Sequence, residues 1–346
     1  MKQLLLVNCI FFGCILSLQS QQPVQLDFDP QNGKNFIIFC DNISFSNYTV
    51  EITFTRARNL SVQTNTPYRR VVRPGRTQLM KIKYLDQTFL GDKSIDFDYE
   101  WSYSKGCLGQ SPDSSIVYLL PIGTNKSTSI IPVATTDDVL DIKDEDDFTV
   151  GFSMNPGDTI FSTRRGMVVG LVEEYETVNG PNTIANGEIN HVEIMHNDCS
   201  FADYWSFKKD GIFVTEGQWV EAGTPLGIVH PDFFSSGPQV RFNVRYNYRD
   251  RERINEQERI NEFITFEVNS WAFVKPTFWT KAEGNVQLKE GNKYESEHPE
   301  KLIIQEMSKR EIKRLSNEWF LVFGFWFLVF GFWFNENILR ENFLIY

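Results

Sequence analysis

The chain has 346 residues, enough for roughly two domains at ~100 to 200 residues each. Its formal net charge of -11 and pI near 5.0 leave no general basic face, which excludes a protein that binds nucleic acid through phosphate contacts. The composition is that of an acidic globular protein with enough apolar residues for a sizeable core.

Residues 1–20 are typical of a secretory signal. Lys2 precedes an apolar run from Leu4 to Leu18, and polar residues follow. This order predicts export to the periplasm, the cell envelope or the medium, and the run is short for a membrane span. Cys14 lies where a lipoprotein signal would be cleaved and its cysteine lipidated, but the aromatic residues before it do not match the lipoprotein cleavage motif well. An apolar cysteine within the signal is therefore favoured.

Signal removal would leave three cysteines, Cys40, Cys107 and Cys199. At most one intramolecular disulfide can then form. We expect it between Cys40 and Cys107, which both lie in the first domain, because an exported chain meets an oxidising environment. Two buried free thiols are an equal alternative, since spacing alone cannot establish a pair.

Residues 22–135 predict a small β-sandwich. Short alternating segments recur between turn-rich stretches, and the clearest is Ile95–Tyr103. Apolar residues occupy every second position there, so on a strand they would share one face. Val50–Phe54 repeats the pattern and Ser115–Ile122 is a further candidate strand.

Residues 136–147 form an acidic linker that ends at Asp147. Its carboxylates could attract calcium, but the spacing and turn glycine of an EF-hand loop are missing. A solvated connection between two domains is the favoured interpretation.

Residues 148–285 predict a second all-β domain of short strands with glycine at tight corners. Four of its segments carry a specific pattern: residues 151–158 with 166–169, residues 190–196 leading to Tyr204, the corner 217–227, and residues 236–244. In order and spacing they resemble the lysostaphin-type zinc endopeptidases, which cut peptide cross-links in bacterial cell walls. The resemblance implies a β-barrel or sandwich of the peptidase type.

The family's chemical residues lie in HxxxD, YxH and HxH elements, in which two histidines and the aspartate hold zinc. At the corresponding positions this chain has Asp147 and Gly151, then Tyr204-Trp205-Ser206, then Gln239-Val240-Arg241. A catalytic zinc needs about three protein ligands, whereas glycine offers no side chain and a guanidinium offers no lone pair. We therefore expect no catalytic residue, no metal ligand and no cofactor at this site.

An active zinc endopeptidase with displaced ligands is the alternative. The chain has only four histidines, His191, His196, His230 and His298. His191 and His196 are five apart, so on one strand they would face opposite sides. Structural or surface roles are favoured for all four.

Gln239 and Arg241 would share one face of a strand and could line the former cleft. Arginine can hold a carboxylate while glutamine reads an amide, and Tyr204 and Trp205 could act as stacking walls beside Ser206. This predicts a cleft that binds a peptide, a peptidoglycan stem peptide or a protein partner. The alternative is a filled cleft in which Arg241 pairs with Asp147.

Residues 286–346 predict a charged and then aromatic C-terminal extension. The heptapeptide WFLVFGF occurs twice within residues 319–332, after the repeated ERINE of residues 252–262. The apolar run is short of the ~20 residues of a helical span. A terminal extension is favoured over a membrane anchor, with membrane contact through the aromatic residues left open.

Overall fold

The computed structural model describes residues 22–31, 35–85, 95–131, 133, 148–176, 189–231, 237–248 and 271–315. Over this part the chain is mostly β-strand, which confirms the predicted all-β class. Helix is confined there to α1 (Glu300–Ile303) and a helical stretch at residues 309–315. The predicted signal, the acidic linker, the ERINE repeat and the aromatic repeat lie outside the described residues. No helix within these ranges is long and apolar enough to cross a membrane.

The first unit consists of two three-stranded antiparallel sheets around one core. Its strands are β1 (Val24–Gln31), β2 (Asn35–Asn42), β3 (Tyr48–Arg58), β4 (Tyr68–Val72), β5 (Gly75–Ile82) and β6 (Asp96–Lys105). The sheet orders are β1-β2-β5 and β4-β3-β6. Val50, Ile52 and Phe54 alternate inward along β3, as predicted, and this confirms the small sandwich.

The second unit contains a nine-stranded sheet and two three-stranded sheets. Its strands are β7 (Val117–Tyr118), β8 (Ser127–Ile131), β9 (Thr149–Ser153), β10 (Thr159–Phe161), β11 (Gly166–Val172), β12 (His191–Met195), β13 (Phe201–Trp205), β14 (Phe207–Ile212), β15 (Trp219–Val220), β16 (Pro225–Val229), β17 (Gln239–Asn247), β18 (Trp271–Phe273), β19 (Thr277–Thr280), β20 (Gly284–Val286) and β21 (Lys293–Glu295). The large sheet runs β15-β11-β12-β13-β17-β9-β8-β21, with β18 also paired to β17. The smaller sheets are β10-β16-β14 and β20-β19-β7.

The structure places both ends of the second unit beyond the range 148–285 expected from the sequence. Strand β8 pairs with β9 in the large sheet, and β7 pairs with β19, so both belong with the second unit. Leu288 and Tyr294 from the predicted extension lie in its core. The two units therefore meet between β6 and β7.

The large sheet has one apolar and one polar face where β12, β13 and β17 cross it. Alternate residues such as Val192, Tyr204 and Phe242 enter the core. The residues between them lie on the opposite side because side chains alternate along a strand. We call this side the polar face; its residues on the three strands include His191, Glu193, Asp203, Trp205, Gln239, Arg241, Asn243 and Arg245.

The disulfide expected between Cys40 and Cys107 is wrong. Cys107 instead bonds to Cys199, across a sequence separation of 92 residues, and Cys40 is a buried free thiol. Cys40 points into the sandwich core from β2, whereas Cys107 follows β6 at the contact with the second unit. Cys199 reaches that contact from the turn between β12 and β13, with a Cα–Cα distance of 5.6 Å.

Candidate functional site

Gly151 and Arg241 are cross-strand partners on β9 and β17, and Trp205 on β13 is the partner of Arg241 on its other side. Residues directly opposite in an antiparallel pair have Cβ atoms about 4.5 to 5.5 Å apart. The fold therefore brings together two positions that the sequence resemblance assigns to zinc ligands. In this chain one of the two positions is Gly151, which has no side chain, and the other is the cationic Arg241.

The space beside Gly151 is filled by Gln239. A Cβ atom at position 151 would lie 2.6 Å from Gln239 Oε1, 3.0 Å from the Ile131 carbonyl oxygen and 3.1 Å from Val133 Cγ2. Gln239 is only 1% exposed. Its amide therefore occupies the space that an aspartate at 151 would need. The sequence predicted that this amide would contact a ligand, but in the structure it is buried.

Arg241 is half-buried on the polar face. Burial lowers the pKa of Arg241 to about 10, so the guanidinium still carries its charge at neutral pH. A guanidinium cannot coordinate a metal and repels a dication. The residues at this site therefore do not fit zinc. Asp147 lies outside the described residues, and its pairing with Arg241 stays a prediction.

Tyr204 belongs to the core and is not a stacking wall for a ligand. Its ring is fully buried, with its centroid 5.0 Å from that of Phe242. The Thr163 N–H donates to its hydroxyl at 2.9 Å, and the Thr163 Oγ1 lies 2.7 Å away. Burial raises the pKa of Tyr204 to about 12. Strand alternation places Trp205 on the polar face instead, so only the tryptophan remains a candidate wall.

Ser206 stands at the histidine position of the YxH element and is fully buried. Its φ of 86° lies in the left-handed region, at the point where β13 gives way to β14. Its carbonyl accepts from the His230 N–H at 2.7 Å. The Ser206 Oγ has no hydrogen-bond partner among the described residues.

Every histidine contacts a backbone carbonyl through a ring nitrogen, as structural roles would require. The pairs are His191 Nδ1 with Ile189 at 3.0 Å, His196 Nδ1 with Arg165 at 2.8 Å, His230 Nε2 with Glu176 at 3.3 Å and His298 Nε2 with Ile122 at 2.9 Å. Burial, and then the charge of Arg164, lower the pKa of His196 to about 3. Within the ranges that the structure describes, no group of three His, Cys, Asp or Glu residues could hold a metal ion.

A charged network on the polar face was missed by sequence reasoning. Arg245 donates to Asp203 at 2.6 Å and to Glu193 at 2.8 Å, and Lys105 from the first unit also pairs with Glu193. Trp271 covers Arg245 at 4.1 Å from guanidinium carbon to ring centroid. The sequence signal was the charged residue at every second position of otherwise apolar strands.

A second ion cluster anchors residues beyond β21. Arg164 is 1% exposed and donates to Glu306 at 2.8 and 2.6 Å and to Asp198 at 2.9 Å. Tyr118 also accepts from it, at 3.1 Å. Nothing in the local sequence pattern indicates this pairing, because 142 residues separate Arg164 from Glu306.

No family model matches the chain, and no curated protein is similar to it in sequence. Solved structures similar to part of it are lysostaphin-type peptidases. Lysostaphin from Staphylococcus simulans is 21% identical over 30% of this chain and 38% of its own, with a TM-score of 0.23. The catalytic domain of that peptidase is 18% identical over 38% of this chain and 80% of its own, with a TM-score of 0.24.

A zinc-containing peptidase from Vibrio cholerae is 14% identical over 66% of this chain and 84% of its own, with a TM-score of 0.28. The chain spans well under half of the full-length lysostaphin that it matches. At these identities and TM-scores the similarities carry no information about the chemistry of the site.

Proposed function

We propose that this protein is an exported, non-catalytic protein with a lysostaphin-type domain that binds a peptide on its polar face. The observation that carries the proposal is the trio of Gly151, Gln239 and Arg241. One ligand position has no side chain, the neighbouring amide fills its space, and the opposite position carries a permanent cation.

The loss of hydrolysis follows from these replacements. A zinc peptidase uses its metal to acidify a water molecule and to polarise the scissile carbonyl. Arg241 could stabilise an anion but cannot deprotonate water, because its pKa of about 10 keeps it protonated at neutral pH. Ser206 supplies a buried hydroxyl where the family has a histidine. Peptide cleavage therefore lacks both the nucleophile and its activator.

Binding is supported by the pairing of Arg241 with Trp205. The two residues are cross-strand partners on the same face, and both are half-buried, with part of each side chain open to solvent. Guanidinium groups bind carboxylates through two parallel hydrogen bonds, and an adjacent indole supplies an apolar wall. A peptide with a free carboxylate, such as a cell-wall stem peptide or an acidic segment of a protein partner, meets both requirements.

Titration of the chain from residue 22 onward with cell-wall stem peptides tests this proposal. We expect binding without cleavage, and we expect Arg241→Ala to weaken it about tenfold or more, the effect of losing a hydrogen-bonded charge pair. Arg73→Ala is the matched control, because Arg73 is exposed on the first unit. Absence of binding, or equal affinity of the Arg241→Ala variant, would refute the peptide site. Cleavage of the peptides would instead favour the zinc endopeptidase.

A further inference from the structure

An exposed apolar surface lies where the sandwich meets the large sheet. Met167 on β11 and Trp219 on β15 are cross-strand partners, so their side chains share one side of the sheet. Phe45, from the turn between β2 and β3, packs on Gly217, since a Cβ atom at 217 would lie 2.5 Å from its ring. Phe45 remains 44% exposed and Trp219 remains 38% exposed. We call Phe45, Met167 and Trp219 the apolar patch.

The apolar patch lies at an end of the large sheet. β15 is the terminal strand in the sheet order and is paired with β11, so within the described ranges no strand lies beyond it. Single exposed apolar residues are ordinary on protein surfaces. Two large aromatic residues from different units beside a methionine instead form a surface of the kind that another segment or protein covers.

The last described residues of the chain are held beside the apolar patch. The guanidinium carbon of Arg165 is 5.1 Å from the ring centroid of Trp219. The same guanidinium donates to the Glu311 carboxylate at 2.7 Å and to the Glu306 carbonyl at 3.0 Å. One buried arginine therefore fixes the helical stretch 309–315 next to Trp219.

The repeated aromatic residues follow this helical stretch closely. We call residues 319–334 the aromatic segment; all of them are aromatic, aliphatic or glycine, and none is charged. A helix rises about 1.5 Å per residue and an extended chain spans at most about 3.6 Å per residue, so Trp319 lies within about 20 Å of Glu311. A tether this short gives the segment an effective concentration of about millimolar at the apolar patch.

We propose that the aromatic segment docks on the apolar patch of the same chain. Contact between the two removes apolar surface of both from water, and the thioether of Met167 packs favourably against aromatic rings. The proposal goes beyond the peptide site and does not depend on it. Arg241 lies on β17, four strands along the sheet from β15.

Hydroxyl-radical footprinting tests this contact, with the chain from residue 22 onward compared with the same chain ending at Leu315. We expect labelling of the apolar patch to be at least about threefold lower in the longer chain, because the docked segment excludes water from it. Tyr99 is the internal control, since it is 37% exposed on the sandwich and should be labelled equally in both chains. Equal labelling of the patch would overturn the proposal.

Chymotrypsin cleavage of the chain from residue 22 to its end is a second readout that needs no shortened variant. Phe45→Ser and Trp219→Ser should each speed cleavage within the aromatic segment about fivefold or more, because cleavage follows the population of the undocked state. Leu85→Ser is the matched control, at a 40% exposed position that follows β5 at the other end of the sandwich. Unchanged cleavage in both patch variants would contradict the docking.

Further measurements separate this contact from other occupants and from the peptide site. Protection that rises with protein concentration, together with a dimer mass in sedimentation, would assign the apolar patch to a second copy and overturn the proposal. Protection that appears only with phosphatidylcholine vesicles would assign the aromatic segment to a membrane and would also overturn it. Arg241→Ala should leave the cleavage rate unchanged, so loss of peptide binding and loss of docking are distinguishable.

Discussion

Gly151 and Gln239 depend on each other at the scale of single residues. The amide oxygen of Gln239 lies 2.6 Å from where a Cβ atom at 151 would be, so a side chain at 151 requires Gln239 to move or to be replaced. The position of an expected zinc ligand has therefore not only lost its side chain: the neighbouring glutamine fills the space that the side chain would need.

Gly151→Ala should destabilise the fold by about 1 to 3 kcal/mol, the cost of overpacking. Gln239→Ala removes the nearest of the clashing atoms, so the double variant should show a coupling energy of about 0.5 to 3 kcal/mol. Urea unfolding of the two single variants and the double variant measures this. Gly123→Ala is the matched control, because a Cβ there makes only ordinary contacts, the nearest at 3.5 Å. Strict additivity of the two changes would contradict the steric coupling.

The depressed pKa of His196 predicts an acid-sensitive fold. The folded pKa of His196, about 3, is below the ordinary histidine value of 6.5, so the unfolded chain binds this proton first. The stability that neutral His196 provides is therefore fully present above pH 6.5. As the pH falls from 6.5 toward 3, the free energy of unfolding decreases by up to about 1.4 kcal/mol per pH unit. Asp198 adds to this acid sensitivity. Burial raises the pKa of its carboxyl group, but the charge of Arg164 lowers it to about 2, so the free energy of unfolding decreases further below the ordinary aspartate pKa of 3.8.

His196→Asn should flatten the pH dependence of unfolding between pH 3 and 6.5, because asparagine keeps a donor for the Arg165 carbonyl but does not titrate. Chemical unfolding at a series of pH values checks this. A variant whose free energy of unfolding falls as steeply as that of the parent chain would show that other groups control the acid sensitivity.

Strands were the most predictable elements. Period-two alternation located β3 and β6 and placed Gln239 and Arg241 on one face of β17, because burial of one face imposes that pattern. The same alternation determines that Trp205 faces outward and Tyr204 inward, although the sequence interpretation treated both as walls. The Arg164 cluster and the Cys107–Cys199 bond could not be predicted, since they join residues far apart in the chain without any local signal.

Glu306 connects the residues after α1 to the second unit. Glu306→Ala should destabilise the fold by about 3 to 5 kcal/mol, because it leaves the buried Arg164 with only part of its compensating charge. Thermal unfolding measures the change, and Glu290→Ala at an exposed position is the control. A midpoint that does not move would mean that Asp198 alone neutralises Arg164.

In the whole molecule, a disulfide bond and polar contacts hold the sandwich against the second unit, in addition to the chain between β6 and β7. The Cys107–Cys199 bond joins the end of β6 to the turn between β12 and β13. Beside it, Asn247 donates to the Lys105 carbonyl at 2.8 Å. The first unit therefore packs against the edge of the polar face that carries Glu193 and Arg245.

Replacement of both Cys107 and Cys199 by serine should cost about 2 to 4 kcal/mol, because the bond restricts the unfolded chain. Alkylation under denaturing, non-reducing conditions checks the pairing itself. In the chain from residue 22 onward, Cys40 alone should be modified before reduction, and all three cysteines after it. Modification of Cys107 or Cys199 before reduction would contradict the assigned bond.

The residues at the former metal position do not fit zinc. The metal content of the purified chain tests this, measured by inductively coupled plasma mass spectrometry after equilibration with zinc and removal of loosely bound ions. We expect zinc far below one equivalent and no change in stem-peptide binding with chelator. One tightly held equivalent of zinc, lost with chelator together with peptide cleavage, would contradict it.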